Sequence, residues 1–212
     1  MRFDDRRQAG ELLGADVAAL APEDPVVYAL PRGGVPVAFE VARALGCPLD
    51  VLVVRKIGVP FQPELAMGAI AEGDVVVRNE DVIEVARIDE DDFAAVVRSE
   101  RRELEARAAA YRTEAGSISP HGHTAVVVDD GLATGSTALA AVRVLREKGA
   151  RSVWLAVPVA PRSPLDELEA LADRIVILHR PWDFGAVGVW YDDFAQTSDD
   201  VVRNLLRESR LA

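Results

Sequence analysis

Short apolar runs alternate along this chain with segments of helical periodicity. Val26–Leu30, Leu49–Val54, Ala125–Val128, Val153–Val159 and Ile175–Leu178 are of strand length and carry apolar residues on both faces. Such runs suit strands buried on both sides, which is the situation inside a parallel sheet. Between them, Val35–Leu45, Ser136–Lys148 and Pro164–Ala172 read as helices, with Gly46 and Gly149 placed to stop the first two. Parallel strands need long crossovers, and a helix is the usual one. The alternation therefore predicts an α/β fold, a Rossmann-like parallel sheet flanked by helices. Asp4 or Asp5 can cap an additional first helix running to about Leu20, which Pro22 and Pro25 end.

Between the second and third runs the pattern changes. Ala66–Ala71 and Val75–Val77 read as a hairpin turning at Glu72-Gly73-Asp74. Asp89–Arg112 reads as a long helix with an acidic first turn and an Arg-rich end. Phe93, Val97, Leu104, Ala108 and Tyr111 fall on one of its faces. Residues 72–92 hold nine acidic and two basic side chains, as a solvated surface would. The tail from Pro181 to Ala212 differs again. Five of the 12 aromatic residues lie within 182–194, followed by a short amphipathic helix through Val201, Val202, Leu205 and Leu206. The organisation expected is a core over 1–180, containing the first helix and an inserted helix at 89–112, with a small C-terminal hood over 181–212.

Charge and cysteine content narrow the function. The 212 residues carry 24 Lys and Arg against 35 Asp and Glu, a formal charge of −11. That balance is against nucleic acid or an anionic membrane as partner, because both require a basic face. It leaves a small anion in a local pocket open. No stretch approaches the ~18 apolar residues of a membrane helix, the N-terminus has no apolar run after its charges, and the single Cys47 cannot pair within the chain. These features lead us to expect a cytoplasmic protein. His121, His123 and His179 complete no zinc-ligand spacing, and Cys47 has no base beside it in sequence.

The segment from Val126 to Thr137 carries the chemistry. An apolar strand ends in Asp129-Asp130, followed by Gly131-Leu132-Ala133-Thr134-Gly135-Ser136-Thr137 and then a helix. Backbone N–H groups, hydroxyls and a helix N-terminus converge there, which suits a phosphate. Two carboxylates would repel that phosphate but suit neutral hydroxyls, or a cation beside phosphates. Together they describe a ligand with a phosphate at one end and a diol in its middle, such as a ribose 5-phosphate. A plain strand–turn–helix needs only one capping Asp and no such loop.

Over 126–137 the chain resembles the type I phosphoribosyltransferases, whose signature is this strand, two acids and a small-residue loop with Thr-Gly. The resemblance covers roughly residues 22–180. It is most similar to bacterial and archaeal members known only by their phosphoribosyltransferase domain. It implies that 5-phosphoribosyl-1-pyrophosphate (PRPP) binds here, with Asp129 and Asp130 on the ribose hydroxyls and beside Mg²⁺, Ala133, Thr134, Gly135, Ser136 and Thr137 around the 5-phosphate, and Gly131 and Leu132 also among the PRPP-binding residues. Two more segments look like parts of this site. Leu30-Pro31-Arg32-Gly33-Gly34 resembles the family's pyrophosphate loop, and the resemblance implies a cis peptide between Pro31 and Arg32. Arg55 and Lys56, at the end of the second strand, correspond to the family's basic residue facing the pyrophosphate, with Lys56 in the main role.

The reaction implied is displacement of pyrophosphate from C1 of PRPP by a nitrogen nucleophile, with Arg32, Lys56, Asp129 and Asp130 as the catalytic group. Ala133 stands where 6-oxopurine-type relatives carry an acid, as in adenine- and uracil-type relatives. A general base would then come from Asp183, Asp192 or Asp193. The Val-Gly-x-x-Tyr-x-x-Phe spacing of the tail is similar instead to the end of the 6-oxopurine enzymes. Phe184 and Trp190 are candidates to stack on a nucleobase, while Trp182 and Phe194 are expected to close the core or an interface. The long helix at 89–112 departs from the mobile catalytic loop of many relatives. Dimers are common in the family, so a homodimer is among the assemblies implied. The rival expectation is a non-catalytic regulator of the same fold that binds PRPP or a nucleotide.

Overall fold

A computed structural model describes residues 1–73, 75–111, 116–163 and 165–211, with the side chain of Glu64 also excluded. Its centre is a five-stranded sheet built from β1 (Pro25–Ala29), β2 (Leu49–Val51), β6 (Thr124–Val128), β7 (Ser152–Val159) and β8 (Arg174–His179). The order is β2-β1-β6-β7-β8 and every neighbouring pair is parallel. Strand residues such as Val27, Val126, Val127 and Leu155 are completely buried, as the continuous apolar runs require. Around the sheet lie α1 (Arg6–Ala19), α2 (Gly34–Leu45), α5 (Ser136–Glu147), α6 (Asp166–Leu171) and α7 (Asp199–Glu208). Asp5 is the cap of α1, its side chain accepting the Gln8 N–H at 2.8 Å. Gly46 ends α2 in the left-handed conformation, with φ of 60°.

A separate antiparallel sheet orders β3 (Val54–Val59), β4 (Gln62–Ala71) and β5 (Val75–Arg78). The expected strand Leu49–Val54 is therefore two strands in two sheets. Strand β2 ends at Val51, and Leu52 makes one last bond to β1 through its N–H and the Ala29 carbonyl. Leu52 and Val53 then pack into different parts of the core, which makes the apolar run continuous across the break. The buried Asp50 carboxylate accepts the Val51 and Ile118 N–H groups, both at 2.8 Å, so its charge is hydrogen-bonded. The hairpin reading was incomplete for the same reason: β4 pairs with β3 as well as β5. Asp74, at its turn, lies outside the described residues, as do Arg112 and Pro164.

Helices α3 (Glu80–Ala86) and α4 (Glu90–Tyr111) follow β5. Phe93, Leu104, Ala108 and Tyr111 of α4 are buried as its periodicity predicts, and Val97 is half-buried. Helix α3 was not anticipated in the acidic stretch. Arg78 gathers part of that charge, bonding Glu80 at 2.7 Å and Glu90 at 2.7 and 3.0 Å, with its guanidinium 4.3 Å from the Phe93 ring centre.

Beyond β8, a 3-10 turn at Val187–Trp190 leads into an extended segment that meets the start of the chain. The Phe3 N–H donates to the Trp190 carbonyl and the Asp192 N–H to the Phe3 carbonyl, both at 2.8 Å. Phe3, Tyr191 and Phe194 pack together there. Helix α7 buries Val202 and Leu206, while Val201 stays exposed. Among the described residues no helix is long and apolar enough to cross a membrane.

Leu155 is fully buried at the middle of β7. Leu155→Ala is expected to destabilise the fold by about 2–5 kcal/mol. A urea titration would read this as a lower midpoint with an unchanged slope.

Candidate active site at the strand ends

In sequence β1 leads outward to β2, and the chain later returns to place β6 on the other side of β1. The carboxyl ends of β1 and β6 are thus adjacent at the point where strand order reverses. Open α/β sheets bind ligands at such a point. Both phosphate-type loops predicted from sequence start there. The Leu30 N–H donates to the Val128 carbonyl at 2.9 Å, carrying the ladder one step past the strands.

The loop after β6 is held from both sides. The Asp130 N–H donates to Asp129 Oδ1 at 2.8 Å, and the Leu132 N–H donates to the Val159 carbonyl at 2.9 Å. Leu132 itself is buried in the core, and its N–H is already used. Ala133 and Thr134 are exposed. Thr134 Oγ1 and Ser136 Oγ lie 3.1 Å apart. Gly135 has φ of 74°, which a side chain rarely tolerates, and this turn directs the N-terminus of α5 towards the loop. The Ser136 N–H reaches Thr134 Oγ1 at 3.4 Å, and hydroxyls gathered in this way at a helix N-terminus suit an anion.

The loop after β1 contains a cis peptide between Pro31 and Arg32, as expected. Its glycines permit contact with the carboxylate pair. A Cβ on Gly33 would lie 2.0 Å from Asp130 Oδ2. One on Gly34 would lie 2.7 Å from the Val128 carbonyl oxygen and 2.9 Å from Asp129 Cα. At Gly34 the obstacle is backbone, which cannot yield as a flexible side chain can; at Gly33 it is the Asp130 carboxylate, which would have to swing away to admit a side chain.

A cavity of about 980 Å³ opens between this loop, β3 and α4. Pro31, Arg32, Lys56 and Thr137 line it, as do Arg55 and Arg107. Arg55 and Lys56 therefore sit inside an antiparallel strand, not at the end of a parallel one, yet still face the site. Arg55 is engaged by α4, with Nη2 at 2.6 Å from Glu100 and 2.7 Å from Glu103. At the far end of α4 the Tyr111 hydroxyl donates to Asp199 Oδ1 at 2.7 Å, and Arg32 Nη1 is 3.8 Å from the same oxygen. Burial and the bond to Asp199 push the Tyr111 phenol up to about 12. Thr134, Gly135 and Ser136 line a second hollow of about 400 Å³ with Asn79 and Arg143.

The carboxylates meet groups that sequence reasoning missed. Arg6 Nε is 2.8 Å from Asp130 Oδ2, and the Tyr191 hydroxyl donates to the Asp130 carbonyl at 2.5 Å. Burial, and then the charge of Asp130, hold the Asp129 carboxyl well above the usual carboxylate range. Arg6, Glu100, Glu103 and Asp199 carried no sequence signal, because each acts through a partner far along the chain. Tyr191 was visible as one aromatic among several and as the tyrosine of the Val-Gly-x-x-Tyr-x-x-Phe spacing, but not as a partner of Asp130.

The aromatic residues of the tail are placed differently from one another. Trp190 donates its Nε1–H to the Phe184 carbonyl at 2.9 Å and packs edge-on against His179, with ring centres 4.9 Å apart. Trp182, expected to close the core or an interface, does not enter the core: it is 85% exposed in the single chain, with the Arg162 guanidinium 4.2 Å from its ring centre. Phe194 does pack, beneath Arg6 at 3.9 Å. Of the candidate bases, Asp192 pairs with Arg2 at 2.9 Å, Asp193 accepts the Ala195 N–H at 2.9 Å, and Asp183 is exposed. Cys47 lies just beyond α2, where burial pushes its thiol up to about 11.

At the switch point of the parallel sheet, then, a carboxylate pair meets a glycine-containing loop. The profile described as the phosphoribosyl transferase domain matches residues 8–193, and the chain belongs to that family. A Mycobacterium tuberculosis protein whose name provisionally assigns it as a phosphoribosyl transferase is 52% identical over 200 residues, covering 94% of this chain and 45% of that protein. The chain thus spans about half the length of these curated relatives. The crystal structure of the TT1426 protein from Thermus thermophilus is 44% identical and superposes with a TM-score of 0.93, covering 98% of this chain and 99% of that one. A hypoxanthine-guanine phosphoribosyltransferase from Bacillus anthracis shares the fold, with a TM-score of 0.50 at 10% identity over 86% of this chain and 83% of that one.

Two outcomes follow from this geometry. Gly34→Ala is expected to cost about 1–3 kcal/mol of stability, measured by denaturant titration, because backbone must move to admit the methyl group. Cys47 is expected to react with iodoacetamide at pH 8 on the order of a hundredfold more slowly than an ordinary thiol, the rate rising towards pH 11, since only the thiolate reacts.

Proposed function

We propose that this chain is a cytoplasmic, Mg²⁺-dependent phosphoribosyltransferase that transfers ribose 5-phosphate from PRPP to a nucleobase or related nitrogen acceptor. The observation that carries the reading is the contact of the two loops across the switch point, where Gly33 has no room for a Cβ beside Asp130. One loop presents Arg32 and close-approaching backbone, with Lys56 of β3 beside it. The other presents two hydroxyl-accepting carboxylates and, a few residues on, an anion cradle. PRPP has its groups in that order: pyrophosphate, diol and 5-phosphate. The same proposal treats residues 1–180 as the core and 181–212 as a hood over the acceptor.

In this mechanism the bond from C1 to the pyrophosphate oxygen breaks and a bond from C1 to the acceptor nitrogen forms. Asp129 and Asp130 accept the ribose hydroxyls, while the Thr134–Thr137 segment and the start of α5 fix the 5-phosphate. Arg32 and Lys56 stabilise the negative charge that develops on the departing pyrophosphate. Among the described residues no three His, Cys, Asp or Glu form a metal cluster. Two hard carboxylates do suit Mg²⁺, which characteristically takes one or two protein carboxylates and completes its shell with phosphates and water. Bound beside Asp129 and Asp130, it would neutralise pyrophosphate charge. Ala133 puts no carboxylate near the base, in keeping with an acceptor other than a 6-oxopurine, and Phe184 and Trp190 remain the stacking candidates. A specific observation favours a second reading, binding without turnover: the Arg55 guanidinium is already occupied by Glu100 and Glu103.

Calorimetric titration with PRPP and Mg²⁺, followed by addition of purine and pyrimidine bases while pyrophosphate is monitored, tests both. The expected result is binding, with release dependent on one class of base. Asp129→Asn combined with Asp130→Asn is expected to weaken PRPP binding by at least about a hundredfold, since each lost charged acceptor costs roughly 1.5–3 kcal/mol. Binding without release for any base would favour the sensor. No binding would overturn both.

A further inference from the structure

Arg6 opens α1, 124 positions before the carboxylate it touches, and lies outside every segment of the phosphoribosyl signature. Its guanidinium has three anchors. Nε contacts Asp130 Oδ2 at 2.8 Å, Nη1 donates to the Ala195 carbonyl at 2.8 Å, and the Phe194 ring centre lies 3.9 Å from its central carbon. The side chain is only 11% exposed, and that of Asp130 only 15%. Exposed ion pairs hold little because water competes and both side chains must be ordered. Here water is largely excluded and the arginine is already ordered by the carbonyl and the ring.

The other side of the same carboxylate oxygen is closed as well. Gly33 approaches so nearly that a Cβ there would lie 2.0 Å from Asp130 Oδ2. The oxygen is confined between the glycine of the first loop and the guanidinium of α1. The Asp130 main chain is fixed too, through its carbonyl and the Tyr191 hydroxyl. A carboxylate that recognises ribose hydroxyls is effective only where its oxygens stand ready in the receiving geometry, and supporting groups set that geometry.

We infer that Arg6 is a positioning residue for ribose recognition, fixing the Asp130 carboxylate so that the acidic pair meets PRPP preorganised. This role rests on the PRPP reading of the site. It assigns the N-terminal helix a part in substrate binding, beyond that of covering the sheet. Arg2 provides the internal control. It lies four residues earlier, pairs with Asp192 at 2.9 Å at the surface and donates to the Tyr191 carbonyl at 3.2 Å, but it makes no contact with Asp130 among its described bonds.

The test is a calorimetric PRPP titration, in Mg²⁺, of Arg6→Met, Arg6→Lys, Asp130→Asn, the Arg6→Met/Asp130→Asn double variant and Arg2→Met, with a melting temperature for each. Arg6→Met is expected to weaken PRPP about tenfold or more, the scale of a charged hydrogen bond. Arg6→Lys, which keeps the charge, is expected to recover most of that affinity. Arg2→Met is expected to stay within about twofold of the wild type, as an exposed pair should. Arg6→Met is expected to add nothing to the loss caused by Asp130→Asn, because the two residues act as one unit. Arg6→Gln takes the place of the Met variant if that variant does not fold, with the same loss expected. Wild-type affinity in Arg6→Met, no rescue by Lys, an equal loss in Arg2→Met, or losses that multiply in the double variant would each overturn the positioning role while leaving the PRPP reading intact, provided Asp130→Asn itself binds poorly. Wild-type affinity in Asp130→Asn would overturn both.

Discussion

Everything at the candidate site depends on the parallel pairing of β1 with β6. Ala29 stands opposite Val128, and the Leu30 N–H extends the ladder to the Val128 carbonyl. That register sets two loops, about a hundred residues apart in sequence, within contact distance of each other. Both faces of these strands are buried, and each face meets a different half of the core. Val27, Ala29, Val126 and Val128 pack on one side, Val26, Tyr28, Ala125 and Val127 on the other. A slip by one residue would exchange side chains between two differently shaped halves. The same apolar packing that holds the sheet together therefore also sets the spacing between the cationic loop and the acidic one.

The rest of the molecule builds walls around that junction from elements outside the parallel sheet. The antiparallel strands and α4 form one wall, joined by the Arg55 pairs with Glu100 and Glu103. The tail and the first residues of the chain form the other, joined by Phe3, Tyr191 and Phe194. The two walls differ chemically. The first is rich in cations and opens onto the larger cavity, whereas the second is aromatic and grips Asp130. Arg32, Arg55, Lys56 and Arg107 line that cavity against Glu100 and Asp199, so an acidic protein carries a local excess of positive charge there.

The sheet, its flanking helices and both loops were legible because each follows from short-range chemistry: apolar runs, glycine stops, paired acids and a small-residue loop. The break after Val51 was not, since Leu52 and Val53 are as apolar as the residues on either side and differ only in which part of the core they enter. Helix α3 was hidden in a stretch whose charge suggested only solvation. Arg6 and Glu100 were invisible for another reason. Their identity as ordinary surface-type charges says nothing about the partner that folding brings to them. Aromatic residues were the least readable class, as Trp182 lies on the surface while Phe194 packs beneath a guanidinium.

The bridge between Phe3 and Tyr191 has a bearing on motion. Chain ends ordinarily fray first, with low opening free energies and little effect on the interior. Here residues 3–6 and 190–195 are stitched together and to the Asp130 loop, so peeling back the first few residues would loosen the tail and the acidic pair as one cooperative unit. Amide hydrogen exchange at Phe3 and Asp192 would then keep pace with exchange at the loop, and strain in residues 3–6 would be felt at Asp130.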